Sequence, residues 1–188
     1  IFIVSPVAVG LILVADQAIP VLLGDKWISA APIVQILVIG GLFQASTAPA
    51  GTVFLAVGKP KINVILKVIS SAVLFPAAII GGINYGVTGI AWATVLAAAV
   101  LAICSQLFVT HSIGVTIGNI LVKIWRTIIS LGIMVACVWW FGDHIINEYI
   151  NSTPKALIAN ILVGIISFIT IDILFWLICG KISGPEEK

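Results

Sequence analysis

Charge is what this sequence has least of. Nine basic and seven acidic residues make up 9% of a 188-residue chain, against roughly 25% in a soluble domain. Hydrophobic residues account for 61%, and mean hydropathy is +1.27. The charges are also clustered: none falls between Trp27 and Gly58 and none between Val68 and Val122. The second of these stretches exceeds two bilayer crossings of about 20 residues each, so lipid must solvate most of the chain. The same composition excludes the disordered, collagen-like and disulfide-rich secreted classes. A net charge of +2 is too small to argue for nucleic acid as a partner.

Reactive side chains are equally scarce. The two histidines, His111 and His144, lie far apart, and Cys104, Cys137 and Cys179 sit singly inside apolar runs, where they read as reduced core thiols. The sequence has no metal-ligand spacing, no nucleophile beside a base and no phosphate-cradling glycine loop. No enzyme activity, metal or cofactor is expected of it.

What the sequence does have is a succession of apolar blocks. Breaks in the pattern mark six candidate spans, at about residues 2 to 23, 29 to 57, 62 to 82, 88 to 110, 124 to 142 and 156 to 179. The separators Gly24-Asp25-Lys26-Trp27, Gly58-Lys59-Pro60-Lys61 and Asn84-Tyr85-Gly86 have the composition of turns. Each run is continuous rather than alternating, so helices are expected and not a barrel. The fold class is therefore an all-α integral membrane protein with six transmembrane helices. The chain opens on Ile1 inside an apolar run that lacks the basic start of a signal peptide; it is expected to begin within a longer protein.

Lysine and arginine counting orients the spans. Lys59, Lys61, Lys123, Arg126, Lys181 and Lys188 fall on one side, with Lys67 just inside it, and only Lys26 and Lys155 fall on the other. The richer side is expected to be cytoplasmic, together with the start of the first helix and the C-terminal tail. In the fourth link, Ile113, Ile117, Ile120, Leu121 and Ile124 oppose Thr116, Asn119 and Lys123. That pattern suits either an interfacial amphipathic helix or an early start to the fifth span.

The second span is too long. Ser29 to Val57 would cover roughly 43 Å as a helix, against about 30 Å of hydrocarbon. Pro49 is the expected hinge, because its ring removes one backbone donor, and Gln44, Ser46, Thr47 and Thr52 surround it. Polar groups and freed carbonyls at that depth suit a hydrated cavity, as in transporters, or a packing kink satisfied by neighbouring hydroxyls. Asp16, Lys67 and Asp172 are ionisable residues inside spans, where a charge costs at least a few kcal/mol. For Lys67 the readings are snorkelling and a cavity role; for Asp16 and Asp172 they are a structural pair and ion or proton coupling. In the fourth span Gly89, Ala93 and Ala97 recur every four residues, a spacing suited to close helix contact.

Two passages carry a family resemblance. The first runs Val21-Leu22-Leu23-Gly24-Asp25-Lys26-Trp27-Ile28-Ser29-Ala30-Ala31-Pro32, followed by Leu55-Ala56-Val57-Gly58-Lys59-Pro60-Lys61; the second is Tyr85-Gly86-Val87-Thr88-Gly89-Ile90-Ala91-Trp92-Ala93. Their order resembles the C-terminal part of polysaccharide flippases of the Wzx and PST type, in the MOP superfamily. Residues 1–110 carry the likeness; residues 111–188 match in hydropathy and helix count.

The resemblance implies a transporter of about fourteen helices, with both ends cytoplasmic, in a bacterial plasma membrane. Residues 1–110 would be four transmembrane helices completing the C-terminal lobe, and residues 111–188 an interfacial segment, two additional helices and a cytoplasmic tail. The implied partners are the lipid bilayer, an undecaprenyl-pyrophosphate-linked oligosaccharide and the N-terminal lobe of the same protein. Alternating access would carry the oligosaccharide across for lipopolysaccharide, capsule or exopolysaccharide export. Candidate substrate-binding residues are Lys67, Gln44, Lys59 and Lys61, the cations because a pyrophosphate needs them. The alternatives are an ion-coupled multidrug exporter of the MATE type and, further off, a polysaccharide polymerase or glycosyltransferase. The longest expected external loop, Asp143 to Pro154, is only about 12 residues, short for enzyme chemistry.

Overall fold

The computed structural model describes residues 4–113, 129–140 and 153–178. The chain divides into two compact units, Ile1–Asn119 and Ile120–Lys188. In the first unit, helix α1 (Val4–Leu23) leads through Gly24 into a short 3-10 turn, Asp25–Ala30, and then into α2 (Ala31–Ala56). Pro32 stands in the first turn of α2, where a missing N–H breaks no helical bond. The expected second span, 29 to 57, was therefore too long partly because Ser29 and Ala30 belong to the 3-10 turn. The true helix runs 26 residues, or about 39 Å at 1.5 Å per residue.

The end of α2 shows why Gly58-Lys59-Pro60 breaks the pattern. Gly58 adopts φ 72°, a left-handed conformation that a side chain disfavours. The Gly58 amide then donates to Leu55 O at 3.1 Å and the Lys59 amide to Phe54 O at 2.8 Å. These two reversed bonds satisfy carbonyls that the ending helix would leave bare.

Helix α3 (Lys61–Ile113) is one helical segment broken at Gly86, whose φ 61° and ψ −141° are non-helical. In a straight helix Gly81 and Gly89 would lie about 12 Å apart. Here a Cβ placed on Gly81 would come within 2.6 Å of Gly89 O, so the chain reverses and the two arms, 61–85 and 87–113, lie back to back. Ser70 Oγ donates to Ala97 O across the same seam at 3.3 Å. Lipid offers helices no hydrophobic drive to associate, so close approach through small residues has to supply it. Ala93 and Ala97 are buried on this face, as their four-residue spacing predicts.

Contacts fix how α2 lies against these arms. Ala50 and Phe54 pack with Leu66 of the first arm and Leu101 of the second, and Phe54 is fully buried. Nearer the start of α2, Ile36 packs with Ala91 and Val95. Along α2 the partners on the second arm rise in number, from Ala91 and Val95 to Leu101, and the first arm runs opposite to the second. α2 is thus parallel to the second arm and antiparallel to the first. α1 packs on α2, and Gln35 of α2 reaches Ile12 and Asp16 of α1.

The second unit, described by itself, contains α4 (Ile129–Trp140) and α5 (Thr153–Ile178). Ser130, Met134 and Val138, each four residues apart, are buried, as are Leu157, Asn160 and Phe168. A Cβ on Gly164 would touch Met134 Cε at 3.3 Å and Val138 Cγ2 at 3.5 Å, so Gly164 is the point of close approach between the two helices.

All regular structure among the described residues is helical. Three segments, Val4–Leu23, Asp25–Ala56 and Lys61–Thr110, are long and apolar enough to cross a membrane, and large apolar side chains such as Leu22, Ile83 and Ile166 are exposed. This is a multi-pass membrane protein. The expected interfacial helix around Ile117 to Lys123 lies outside the described residues.

Candidate functional site

Three rows of side chains, each spaced by four residues and therefore each on one helix face, converge where α2 meets the two arms of α3. Thr47 and Gly51 come from α2, Asn63 and Lys67 from the first arm, and Leu101 and Ser105 from the second. With Ala48 and Leu66 they line a cavity of about 270 Å³. Two of its lining residues, Leu66 and Leu101, also belong to the apolar cluster with Ala50 and Phe54.

Pro49 stands between the two α2 positions. It carries no N–H, so the Ala45 carbonyl loses its helical partner. Side chains crowd the same turns: Ser46 Oγ donates to Phe43 O at 2.6 Å, Thr47 Oγ1 to Gln44 O at 2.8 Å and Thr52 Oγ1 to Pro49 O at 2.7 Å. Both arms of α3 also reach this part of α2. Asn63 Nδ2 donates to Gly51 O at 3.3 Å and Gln106 Nε2 to Ser46 O at 3.5 Å. A membrane-spanning helix tolerates a proline because neighbouring helices and hydroxyls make up its hydrogen bonds. Here two amides and three hydroxyls bond carbonyls of the turns on either side of Pro49, and none of these five bonds reaches Ala45 O.

A hydrogen-bond inventory shows what the cavity offers. Thr47 has given its one proton to Gln44 O, and Asn63 has given one of its two amide protons to Gly51 O. The exposed Lys67 side chain brings three donors and a positive charge, none of them bonded to another described residue. A cavity with a surplus of donors and one cation suits an occupant rich in acceptors and negative charge.

The other sequence candidates fall elsewhere. Lys59 and Lys61 are exposed in and just after the turn that ends α2. Lys61 is about 9 Å along the arm from Lys67. Gln44 is exposed one turn before Thr47 and does not line the cavity; its carbonyl receives the Thr47 hydroxyl. Pro49 lies inside a continuous α2. The Asp16 carboxylate is paired with Gln35 Nε2 at 3.4 Å. Asp172 lies on α5, with its side chain outside the described residues. Among the cysteines, Cys104 and Cys137 are free and half-buried; Cys179 and His144 lie outside the described residues. No group of three or more His, Cys, Asp or Glu occurs among the described residues.

Sequence reasoning missed Asn63, Ser105, Gln106 and Gln35. The signal for Asn63 was its four-residue spacing from Lys67. Gln106 was conspicuous as the one amide in a long apolar block, yet nothing local told which carbonyl it would meet.

No family model matches the chain, and no solved structure matches it. Curated relatives do. The lipopolysaccharide biosynthesis protein WzxC of Escherichia coli (strain K12) is 28% identical over 130 residues, covering 69% of this chain and 21% of that protein. The teichuronic acid biosynthesis protein TuaB of Bacillus subtilis (strain 168) is 39% identical over 54 residues, covering 29% of this chain and 11% of that protein. An uncharacterized membrane protein in the cps region of Klebsiella pneumoniae is 25% identical over 117 residues, covering 62% and 24%. The chain spans about a quarter or less of the length of the curated relatives it matches. The chain is therefore similar to proteins named for lipopolysaccharide and teichuronic acid biosynthesis, one of the Wzx type among them.

Proposed function

We propose that this chain is the C-terminal part of a flippase for lipid-linked oligosaccharide repeat units, working by alternating access in a bacterial plasma membrane. One observation supports it most. Lys67, with Thr47, Asn63 and Ser105, lines a cavity against the proline-bearing helix α2, in a chain similar to proteins of lipopolysaccharide and teichuronic acid biosynthesis. A pyrophosphate linked to undecaprenol carries the acceptors and negative charge that such a cavity suits.

In this reading α1, α2 and the two arms of α3 cross the bilayer and complete the C-terminal lobe, and the helices of the second unit add two crossings. The Lys59–Lys61 turn and Lys67 then lie toward the cytoplasm, where the substrate enters, and both ends of the chain are cytoplasmic. Lys59 and Lys61 draw the anionic headgroup to the membrane face, Lys67 holds it in the cavity, and α2 flexes at Pro49 as the lobes exchange access. The N-terminal lobe supplies the rest of the cavity. No covalent chemistry is required of any residue.

Complementation tests this. The full-length protein should restore surface glycan to a strain whose own repeat-unit flippase is deleted. Lys67→Ala should lower export at least tenfold at unchanged protein level, with Lys67→Arg retaining most of it. Wild-type export by Lys67→Ala would remove Lys67 from the site. Failure of the wild type to restore glycan, joined to efflux of cationic dyes, would replace the flippase with a drug exporter.

A further inference from the structure

The Lys67 cavity has a mouth and an inner end. Among its lining residues Lys67 and Ala48 are exposed, Thr47, Gly51 and Asn63 are half-buried, and Leu66, Leu101 and Ser105 are buried. The cavity therefore opens beside Lys67 and ends against Leu66, Leu101 and Ser105. A hydroxyl at that end calls for an explanation, since a buried polar group is ordinarily paired. Ser46, Thr47, Thr52 and Thr110 each give their proton to a carbonyl of their own helix. Ser105 is 2% exposed, yet its hydroxyl bonds no described residue. The oxygens of Ser5 and Ser130 also lack a partner, but they are sealed in. That of Ser105 opens on the cavity it lines.

The α2 wall of the cavity is bare at Gly51. A Cβ placed there would meet only Asn63 Oδ1, at 3.8 Å, an ordinary contact. Space is thus left where any other residue would put a side chain. Three kinds of donor border it: the Ser105 hydroxyl, the second amide proton of Asn63 and the Lys67 ammonium. The volume, about 270 Å³, lies below the roughly 300–1,000 Å³ of sites that enclose drug-sized ligands. A phosphate group fits such a space, and an oligosaccharide does not.

Resting on the flippase reading, we propose that this cavity seats only the phosphate end of the lipid-linked substrate, with Ser105 as the donor at its inner end and Lys67 as the cation at its mouth, and leaves the saccharide outside. Phosphate oxygens accept from a hydroxyl, an amide and an ammonium together, and such charge-assisted bonds are about twice as strong as neutral ones. The site then reads the carrier, which is the same whatever repeat unit it bears, and is blind to the glycan. Ser105 and the missing side chain of Gly51 set how deep the phosphate sits.

The test titrates the full-length protein in nanodiscs with three probes: undecaprenyl pyrophosphate without sugar, the same lipid bearing an oligosaccharide, and inorganic pyrophosphate. The two lipids should bind with the same affinity, and inorganic pyrophosphate, which has no anchor in the bilayer, far more weakly. Ser105→Ala should weaken both lipids by one factor, about tenfold for a lost bond to a charged group. Ser105→Cys, which keeps the bulk and donates more weakly, should fall between. Gly51→Leu fills the space and should abolish binding of both, with an unfolding midpoint no lower than that of the wild type. The proposal is overturned if Ser105→Ala or Gly51→Leu, at wild-type stability, binds the sugar-free lipid undiminished, or if only the sugar-bearing lipid binds, because the site then reads the glycan. The flippase reading survives either result. Inorganic pyrophosphate binding as tightly as the lipids would make this a site for free anions and overturn the proposal. If the wild type binds neither lipid, the flippase reading fails and takes the proposal with it.

Discussion

Gly89→Ala should unpick the α3 hairpin, and its cost can be worked from the backbone. A Cβ on Gly89 would fall on the Gly81 carbonyl, and one on Gly81 would sit 2.6 Å from Gly89 O. Both obstacles are main chain, so no side chain can swing aside. The arms must part by several tenths of an ångström or more along a seam whose attraction depends on close approach. Overpacking of this kind costs about 1–3 kcal/mol, and the upper end applies where backbone meets backbone. Alanine returns about 1 kcal/mol of helix propensity, leaving a net loss of about 2 kcal/mol. Gly41, with nothing within 4 Å of its would-be Cβ, is the control: Gly41→Ala should be neutral or stabilising by up to about 1 kcal/mol. The two variants should thus differ by about 2–3 kcal/mol, on the order of a hundredfold in the ratio of folded to unfolded protein. Thermal or denaturant unfolding of the full-length protein in nanodiscs reads this directly. If Gly89→Ala proves as stable as Gly41→Ala, the two arms do not meet at this point and the hairpin account of α3 fails.

Gly58→Ala should cost about 1–2 kcal/mol in the same assay, because φ 72° places a side chain in the left-handed region. Asn63→Leu removes the donor to Gly51 O and should cost about 1 kcal/mol. It should also reduce glycan export, measured in the complementation assay as surface glycan per unit of protein. Cysteines placed singly at Lys26 and Lys59 should be labelled from opposite sides of the membrane by an impermeant reagent, since α2 separates them. Labelling of both from one side would show that α2 does not cross, and the crossing count would fall with it.

Turn chemistry was the most legible part of the fold. Gly24, Gly58 and Gly86 stand in the three breaks read from composition, and each has a positive φ. Local sequence decides where a chain cannot continue as a helix. The small-residue row of the fourth span was legible for the same kind of reason, since Ala93 and Ala97 share a face whatever they touch. The start of α2 was less legible. Trp27-Ile28-Ser29-Ala30 is apolar enough to read as helix, and the 3-10 geometry of Asp25–Ala30 depends on how the chain turns between α1 and α2. Partners across helices were not legible at all. Asp16 invited a partner, and Gln17 was the polar neighbour in sequence. The donor that its carboxylate meets is Gln35, nineteen positions along the chain, brought there by the packing of α2 on α1. Lys67 could be named from its depth in a span, whereas the cavity it lines needed Ser105 from a different arm.

The distribution of hydrogen bonds around Pro49 separates what holds the helix from what is left for an occupant. Lipid supplies no water to a bare carbonyl, so the polar residues of α2 and α3 must first answer the demands of the backbone. Ser46, Thr47 and Thr52 bond carbonyls of their own helix, and Asn63 and Gln106 bond carbonyls of α2. A polar belt used up in this way would amount to a packed kink with nothing left over. Lys67 breaks that account. Its charge is one that the kink does not require, since none of these carbonyl bonds involves its ammonium, and a cation within a span carries a cost that packing alone does not repay. In the proposed function that charge meets the anionic headgroup that enters the cavity. The decisive variant is therefore one that preserves the bulk of the stem and removes only the charge. Lys67→Met should leave the unfolding midpoint unchanged or higher while glycan export falls at least tenfold. A variant that loses stability but keeps export would return Lys67 to the role of a snorkelling residue.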